Sequence, residues 1–436
     1  MKIYNSLTDE LEEFKPINEG KVNMYVCGPT VYNYVHIGNM RPVITFDMVY
    51  NYLKYKGYEV KYASNFTDVN PKITRVALEE GITEREVADK FIKAYLDDLK
   101  AYNCGDIDYR PRVIDNMQNI YDFIEALIKK DYAYVVDGDV YFRVSKIKDY
   151  GILSNNTLEE LESGARVEVD EKKEDPLDFA LWRKTDEGEQ FESPWGLGIP
   201  GWHTECVVMI NALFGSNIDI HGGGVDLKFP HHENEIAQSM ALNENHLANY
   251  WMHNGHINVD GIKMSKSLGN FQLAKDFIQN TKPNIVKLAM FKTHYRLPFN
   301  VTDELMDEAK ILDEKISNAI KQAMIEVSLQ NLEVGNLKKD EKLEEIMDED
   351  FNTPNLITYL LELIKELNNL IRQKQNFIDP LDKIKLITDI MGLKYNYDKL
   401  VEEDIKVYNE WLEYRKNKDF ENADKLREKL IEKGIV

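Results

Sequence analysis

The stretch Tyr25–Asn39, YVCGPTVYNYVHIGN, constrains this chain more than any other. Val22, Met24 and Val26 alternate ahead of Cys27, the pattern of a half-buried strand, and Gly28-Pro29 ends it. After His36-Ile37-Gly38-Asn39 and Arg41-Pro42 a helical pattern begins, with Val43, Phe46, Tyr50 and Leu53 on one face and Gly57 as its stop. Val60 and Tyr62 then alternate in a second strand over 59–68. Strand, helix and strand close a right-handed β–α–β unit and commit the chain to a parallel sheet. Ligands of such a sheet bind at the carboxyl ends of its strands, where Cys27 and Thr67 fall. His36, Gly38 and Asn39 stand where a loop enters a helix. Free N–H groups and the positive end of the helix dipole suit a polyphosphate there, and Gly38 leaves room for a base or ribose.

The rest of the chain extends this frame. Its 436 residues are enough for two to four domains. The formal charge of −22 argues against indiscriminate nucleic-acid binding but leaves room for one RNA held on a local basic face. The first residues, MKIYNSLTDELEEF, lack the apolar core of a signal peptide, and no apolar run approaches a membrane span. Cys27, Cys104 and Cys206 form no disulfide framework, so a cytoplasmic protein is expected.

Two dipeptides mark hairpins, Asp137-Gly138 and Asp260-Gly261; the second leads into Lys263-Met264-Ser265-Lys266-Ser267. Residues 84–102 read as an amphipathic helix. The run Pro200–Cys206, PGWHTEC, precedes a helix over Val207–Leu213, and a short strand Ile218–Ile220 ends in His221-Gly222-Gly223-Gly224-Val225-Asp226. Next, FPHHENE opens a helix on which His231 and Glu235, four apart, share a face. Two thiolates, an imidazole and a carboxylate can make a four-ligand zinc site, although spacing alone does not unite Cys27 with Cys206. Beyond about Thr302 the chain is helical and charged. Thr353-Pro354 reads as an N-cap with proline at N1, followed by a packing stripe of Leu356, Leu360, Leu363, Leu367 and Leu370.

HIGN and KMSKS, in this order, are the paired signatures of class I aminoacyl-tRNA synthetases. With the cysteine of CGPTVY, and GARVEVDEKKEDPLDFALWRK further on, the chain resembles the cysteinyl-tRNA synthetase family over nearly its whole length. The resemblance implies an α/β fold: a Rossmann-like parallel-sheet catalytic domain with an inserted connective domain, followed by a C-terminal helical bundle. The boundaries expected are 1–115 and 200–260 for the two catalytic halves, 116–199 for the insertion, and 261–310 for the KMSKS loop and stem-contact region. A tRNA-binding bundle over 311–400 and a small anticodon-binding region over 401–436 follow. The last is expected to be incomplete, since many relatives continue past the position of Val436.

The resemblance also implies ATP, L-cysteine and cysteine tRNA as substrates of a monomeric, AMP-forming ligase, with one Zn2+ per chain and Mg2+ accompanying ATP. Carried over position by position, the metal ligands are Cys27, Cys206, His231 and Glu235, with His231 preferred to His232. The catalytic residues are His36, Asn39, Lys263 and Lys266. ATP is expected at Thr30, His36, Gly38, Asn39, Gly223, Asp226 and Lys266, and the amino acid at Cys27, Thr67, Trp202 and His231. Zinc would select the substrate thiolate over the hydroxyl of serine. Cys104 matches no ligand position. Trp411 or Tyr414 would stack on anticodon bases, unless they are core residues. The chain departs from the family pattern at Asn39, the fourth residue of the first signature, at Asn70-Pro71, and at the string PRVIDN. Two other readings share these motifs: a related ligase joining cysteine to an amino sugar, and a non-catalytic RNA-binding relative. The long helical region argues against the first, and the intact lysines and donor residues against the second.

Overall fold

The computed structural model describes residues 1–155, 171–259, 262–263, 272–335 and 337–435; of Val259, Ile262 and Lys263 only the backbone is described. The chain divides into two units. One comprises Met1–Pro283, Thr293–Thr302 and Asp348–Phe351, the other Asn284–Lys292, Asp303–Met347 and Asn352–Val436.

The first unit is built on a four-stranded, all-parallel sheet in the order Ala248–Asn254, Ile218–Gly224, Lys21–Val26, Glu59–Ala63. The β–α–β unit is present as expected, with the helix Ile37–Tyr55 as its crossover. The buried face of that helix differs from the periodicity reading. Met40, Ile44, Met48 and Tyr52 are buried with Phe46 and Leu53, whereas Val43 and Tyr50 are only partly covered. A helix covered on most sides loses the one-sided pattern that periodicity detects. The triple glycine belongs to a strand, which runs on to Gly224 instead of ending at Ile220. The helix carrying Cys206 starts at Trp202, five residues earlier than expected.

The Asp137-Gly138 hairpin opens a five-stranded antiparallel sheet, in the order 133–136, 139–142, 179–184, 196–200, 191–193. The helix ahead of it, Met117–Lys129, buries Ile120, Ile124 and Leu127 in the same core as Cys206, Ile210 and Ile236. The 116–199 stretch therefore shares a core with the parallel-sheet fold. Asn70-Pro71 has a local explanation. Asn70 caps the helix Pro71–Glu80, its side chain accepting from the Lys72 N–H at 3.1 Å, with proline in the first turn, where no N–H is needed. The second expected hairpin pairs Ile257–Val259 with Ile262–Lys263, and its first strand runs parallel to Phe299–Val301.

The second unit is helical. Its helices include Asp303–Leu329, Thr353–Gln373, Ile378–Ile390, Glu402–Lys416 and Phe420–Glu432. Leu356, Leu360, Leu363 and Leu367 are buried as the stripe requires, and Leu370 is partly buried. The cap of that helix is Asn352, one residue before the expected Thr353; its side chain accepts from the Asn355 N–H. The last two helices pack together over Trp411, Ala423 and Leu430. Trp411 is thus a core residue, not a stacking surface, and Tyr414 is partly buried against the same cluster. No helix among the described residues is long and apolar enough to cross a membrane.

Candidate metal centre and nucleotide pocket

Cys27 follows the strand Lys21–Val26 at its carboxyl end, and its N–H donates to Gly222 O of the neighbouring strand. Gly28 is required next. A Cβ there would lie 1.7 Å from Asn65 O, and its N–H donates to the Asn65 side chain at 2.9 Å. This close approach fixes where the Cys27 thiol is aimed.

The fold brings Cys27, Cys206, His231 and Glu235 together, one donor atom from each lying within 4.8 Å of the others. Cys27 Sγ is 3.7 Å from Cys206 Sγ and 3.8 Å from Glu235 Oε1, and His231 Nε2 is 2.9 Å from Glu235 Oε1. His231 does not lie in the α-helix Glu233–Asn243; it lies in an irregular turn, Lys228–His232, that leads into it. The i,i+4 neighbourhood survives because His232 and Glu233 already have helical dihedrals.

A second donor set overlaps the first. Cys27, His221, His232 and Glu235 meet the same distance condition. His232 Nε2 is 3.3 Å from Cys27 Sγ, and His221 Nε2 is 2.8 Å from Glu235 Oε2, though out of line for a hydrogen bond. Around both sets stand further imidazoles. His203 Nδ1 lies 3.0 Å from His231 Nδ1, and His253 Nε2 lies 2.8 Å from His232 Nδ1. The strings WHTEC, HGGGVD and FPHH held His203, His221, His231 and His232 in view, but nothing in their spacing said that they converge, and no motif pointed to His253.

The electrostatics suit a cation. Burial alone would raise Glu235, yet the imidazoles of His221 and His231 outweigh it and hold the carboxyl well below its usual range. A hydrogen bond from Cys27 brings Cys206 down to about 6. Burial opposes protonation of His231, but Glu235 and Cys206 hold it up at about 10. Burial takes His203 and His253 down to about 3. A buried carboxylate beside a readily ionised thiol needs positive charge, and soft sulfur with imidazole and one oxygen is a zinc-type donor set.

Cys27 also lines a cavity of about 300 Å3, and among the described residues it alone belongs to both the cavity and the donor sets. Thr30, His36, Gly38, Asn39 and Asp226 line this cavity, as do Gly224, Gly255 and His256. Gly223 does not; a Cβ there would point at His232. His36 is the N-cap of the helix, and its N–H donates to Asn39 Oδ1 at 3.1 Å, so asparagine caps the helix with its oxygen and keeps its amide hydrogens for a ligand. Thr67 is buried away from the cavity lining, its hydroxyl donating to Glu205 Oε2 at 3.1 Å. Trp202 stacks on His231, with ring centroids 4.2 Å apart, and is 39% exposed. The cavity lining also includes Asp47, Tyr95 and Arg110, which carry no recognisable sequence signal. The Lys263 side chain and Lys266 lie outside the described residues, but the chain returning from them is placed. Ile37 N–H donates to Gln272 O, and Ala274 N–H to Val35 O.

The model of the class I (C) tRNA synthetase catalytic domain matches residues 13–311, and that of the DALR domain matches residues 342–395. The chain is 47% identical to the cysteine–tRNA ligase of Anoxybacillus flavithermus, covering 100% of this chain and 97% of the relative. It is 45% identical to that of Acholeplasma laidlawii, covering 100% of both. The chain belongs to the cysteine–tRNA ligase family. Solved structures bear out the class I fold beneath that family. A Mycobacterium tuberculosis methionyl-tRNA synthetase in complex with methionyl-adenylate aligns with TM-score 0.61 at 13% identity, over 85% of this chain and 89% of that one. The Thermus thermophilus arginyl-tRNA synthetase aligns with TM-score 0.56 at 13% identity, over 90% and 84%. Cys27 is the residue at which the donor cluster and the cavity meet.

Proposed function

We infer that this protein is an ATP-dependent cysteine–tRNA ligase. Cysteine's carboxylate attacks the ATP α-phosphate, forming cysteinyl-adenylate and releasing pyrophosphate. A hydroxyl of the tRNA's terminal adenosine then takes the cysteinyl group and AMP leaves. The observation that carries this reading is the position of Cys27, shared by a buried thiol–imidazole–carboxylate cluster and the cavity at the HIGN helix start.

Cys27, Cys206, His231 and Glu235 would hold zinc, which when bound supplies a soft Lewis acid for the substrate sulfur. A plain pocket separates cysteine from serine by only about 1–3 kcal/mol, so recognition of sulfur as such is the stronger discriminator. Trp202, stacked on His231, holds that imidazole in orientation. His36 and the Asn39 amide bind phosphate oxygens, Thr30, Gly38 and Asp226 contact the nucleotide, and Mg2+ accompanies ATP. Lys266, and secondarily Lys263, stabilise charge on the departing pyrophosphate. No protein nucleophile is needed; catalysis is positioning and charge stabilisation. The helical unit, including residues 342–395, binds cysteine tRNA.

Cysteine-dependent ATP–pyrophosphate exchange, followed by charging of cysteine tRNA, tests the reading. Exchange with cysteine, little with serine, and a charged tRNA are expected. Transfer of cysteine to an amino sugar with no charging of tRNA would replace the proposal by the amino-sugar ligase.

A further inference from the structure

Arg41 is the fifth residue of the HIGN helix, and its side chain is 1% exposed. No carboxylate stands beside it among the described residues. Its guanidinium instead donates to five main-chain carbonyls. Nη1 reaches Gly255 O at 3.1 Å and His256 O at 2.8 Å; Nη2 reaches Leu297 O at 2.5 Å, Tyr295 O at 3.2 Å and His294 O at 3.5 Å. Burial lowers this guanidinium to about 10, a cost that five carbonyl dipoles partly offset. Only a planar fork with five N–H groups can hold two chain segments in this way; an ammonium cannot.

The two segments matter for different reasons. Gly255, His256 and Ile257 line the nucleotide cavity. They rest on the turn 294–297: Gly255 N–H donates to Tyr295 O, and a Cβ on Gly255 would lie 2.4 Å from Leu297 O. The turn is fastened from its other side by Asp350. Tyr295 Oη donates to Asp350 Oδ1 at 2.7 Å, Arg296 Nε to Oδ2 at 2.7 Å, and His294 Nε2 lies 2.9 Å from Asp350 O. Asp350 and Phe351 both have left-handed backbones, with φ of 57° and 56°. Such conformations cost non-glycine residues energy and persist only where surrounding contacts over-determine them. Those contacts include Tyr4 N–H on Asp350 Oδ1, and Tyr52 Oη and Lys56 Nζ on Asp348, the last two from the far end of the HIGN helix.

We propose that Arg41 and Asp350 are positioning residues for ATP: through the turn 294–297 they set the Gly255–Ile257 wall of the cavity against the HIGN helix. Neither touches substrate. The proposal rests on the reading of the cavity as the ATP site. It also assigns a role to Asp348–Phe351, a segment flanked in sequence by helices of the helical unit yet packed within the catalytic unit.

The test measures KM for ATP and for cysteine in pyrophosphate exchange by the full-length protein, with ATP binding by calorimetry and metal content alongside. Arg41→Lys should raise KM for ATP about tenfold and leave KM for cysteine and metal content within about twofold. Arg296→Gln, changed at a side chain 39% exposed, keeps the test decisive if Arg41→Lys does not fold; it should raise KM for ATP about threefold. A merely structural role would loosen both substrates together. Equal ATP affinity in wild type and folded variants, or parallel losses for ATP and cysteine, overturns the proposal. Wild-type protein that binds ATP without any exchange overturns the functional reading instead, and the calorimetric comparison still decides the positioning.

Discussion

The donor cluster and the cavity at the HIGN helix start meet at Cys27, but they are built by opposite means. The cluster is made of side chains from distant segments: a strand end, the Trp202–Phe214 helix, and the turn and helix around 231–235. His221, His231, His232 and Glu235 are essentially without solvent exposure. The cavity lining includes five glycines, Gly28, Gly38, Gly105, Gly224 and Gly255, together with the start of the Ile37–Tyr55 helix. Recognising one soft atom needs several donors held in a dry, fixed geometry. Recognising a phosphate chain needs N–H groups and a helix dipole.

The same lesson shows in two buried carboxyls. Glu235, between imidazoles, is held well below its usual range. Asp98, 5% exposed on the helix Glu84–Ala101 that lends Tyr95 and Leu99 to the cavity, is pushed up to about 6 by burial, and its Oδ2 has no hydrogen-bond partner among the described residues. Neighbours, more than depth, decide which way a buried carboxyl shifts.

The largest expected effect is on the cluster. Cys206→Ala should take bound zinc from one per chain toward zero, read by elemental analysis of protein purified without added metal. Retention of a full equivalent would mean that Cys27, His221, His232 and Glu235 suffice, and that the sulfur pair is not the site. On the nucleotide side, Lys266→Ala should slow adenylate formation by an amount equivalent to about 2–4 kcal/mol while cysteine binding holds, in single-turnover measurements. An unchanged rate constant would remove Lys266 from the proposed catalytic residues.

Asp98→Asn sharpens the carboxyl contrast. The folded state favours protonated Asp98, so the group costs nothing below its unfolded value near 3.8. Stability is then lost as pH rises toward about 6. The variant should be more stable than wild type at pH 7.5 by about 1–2 kcal/mol, with the difference vanishing near pH 3.5 in urea titrations. A pH-independent difference would contradict the assignment. The smallest effect is expected for Asn39→Ala, which removes the acceptor of the His36 N–H. About 1 kcal/mol of stability should be lost, together with a rise in KM for ATP. Unchanged ATP kinetics would reduce Asn39 to a helix cap.

Sequence by itself determined the β–α–β unit, the helix start at His36, both hairpins and the Leu356–Leu367 stripe, and through resemblance to a family it named four residues that the fold brings together. These are features of local period, turn chemistry and short motifs, which a linear string records. It misjudged the buried face of the Ile37–Tyr55 helix because periodicity cannot see a helix covered on most sides. It placed Thr353 where Asn352 caps, one residue off, because both side chains can serve. What only the tertiary structure decided is convergence. The second donor set, the ring of His203, His221, His232 and His253, and the grip of Arg41 on carbonyls more than 210 positions away all depend on strand order and close backbone approach. Spacing along a chain carries no information about which distant side chains a fold will press together.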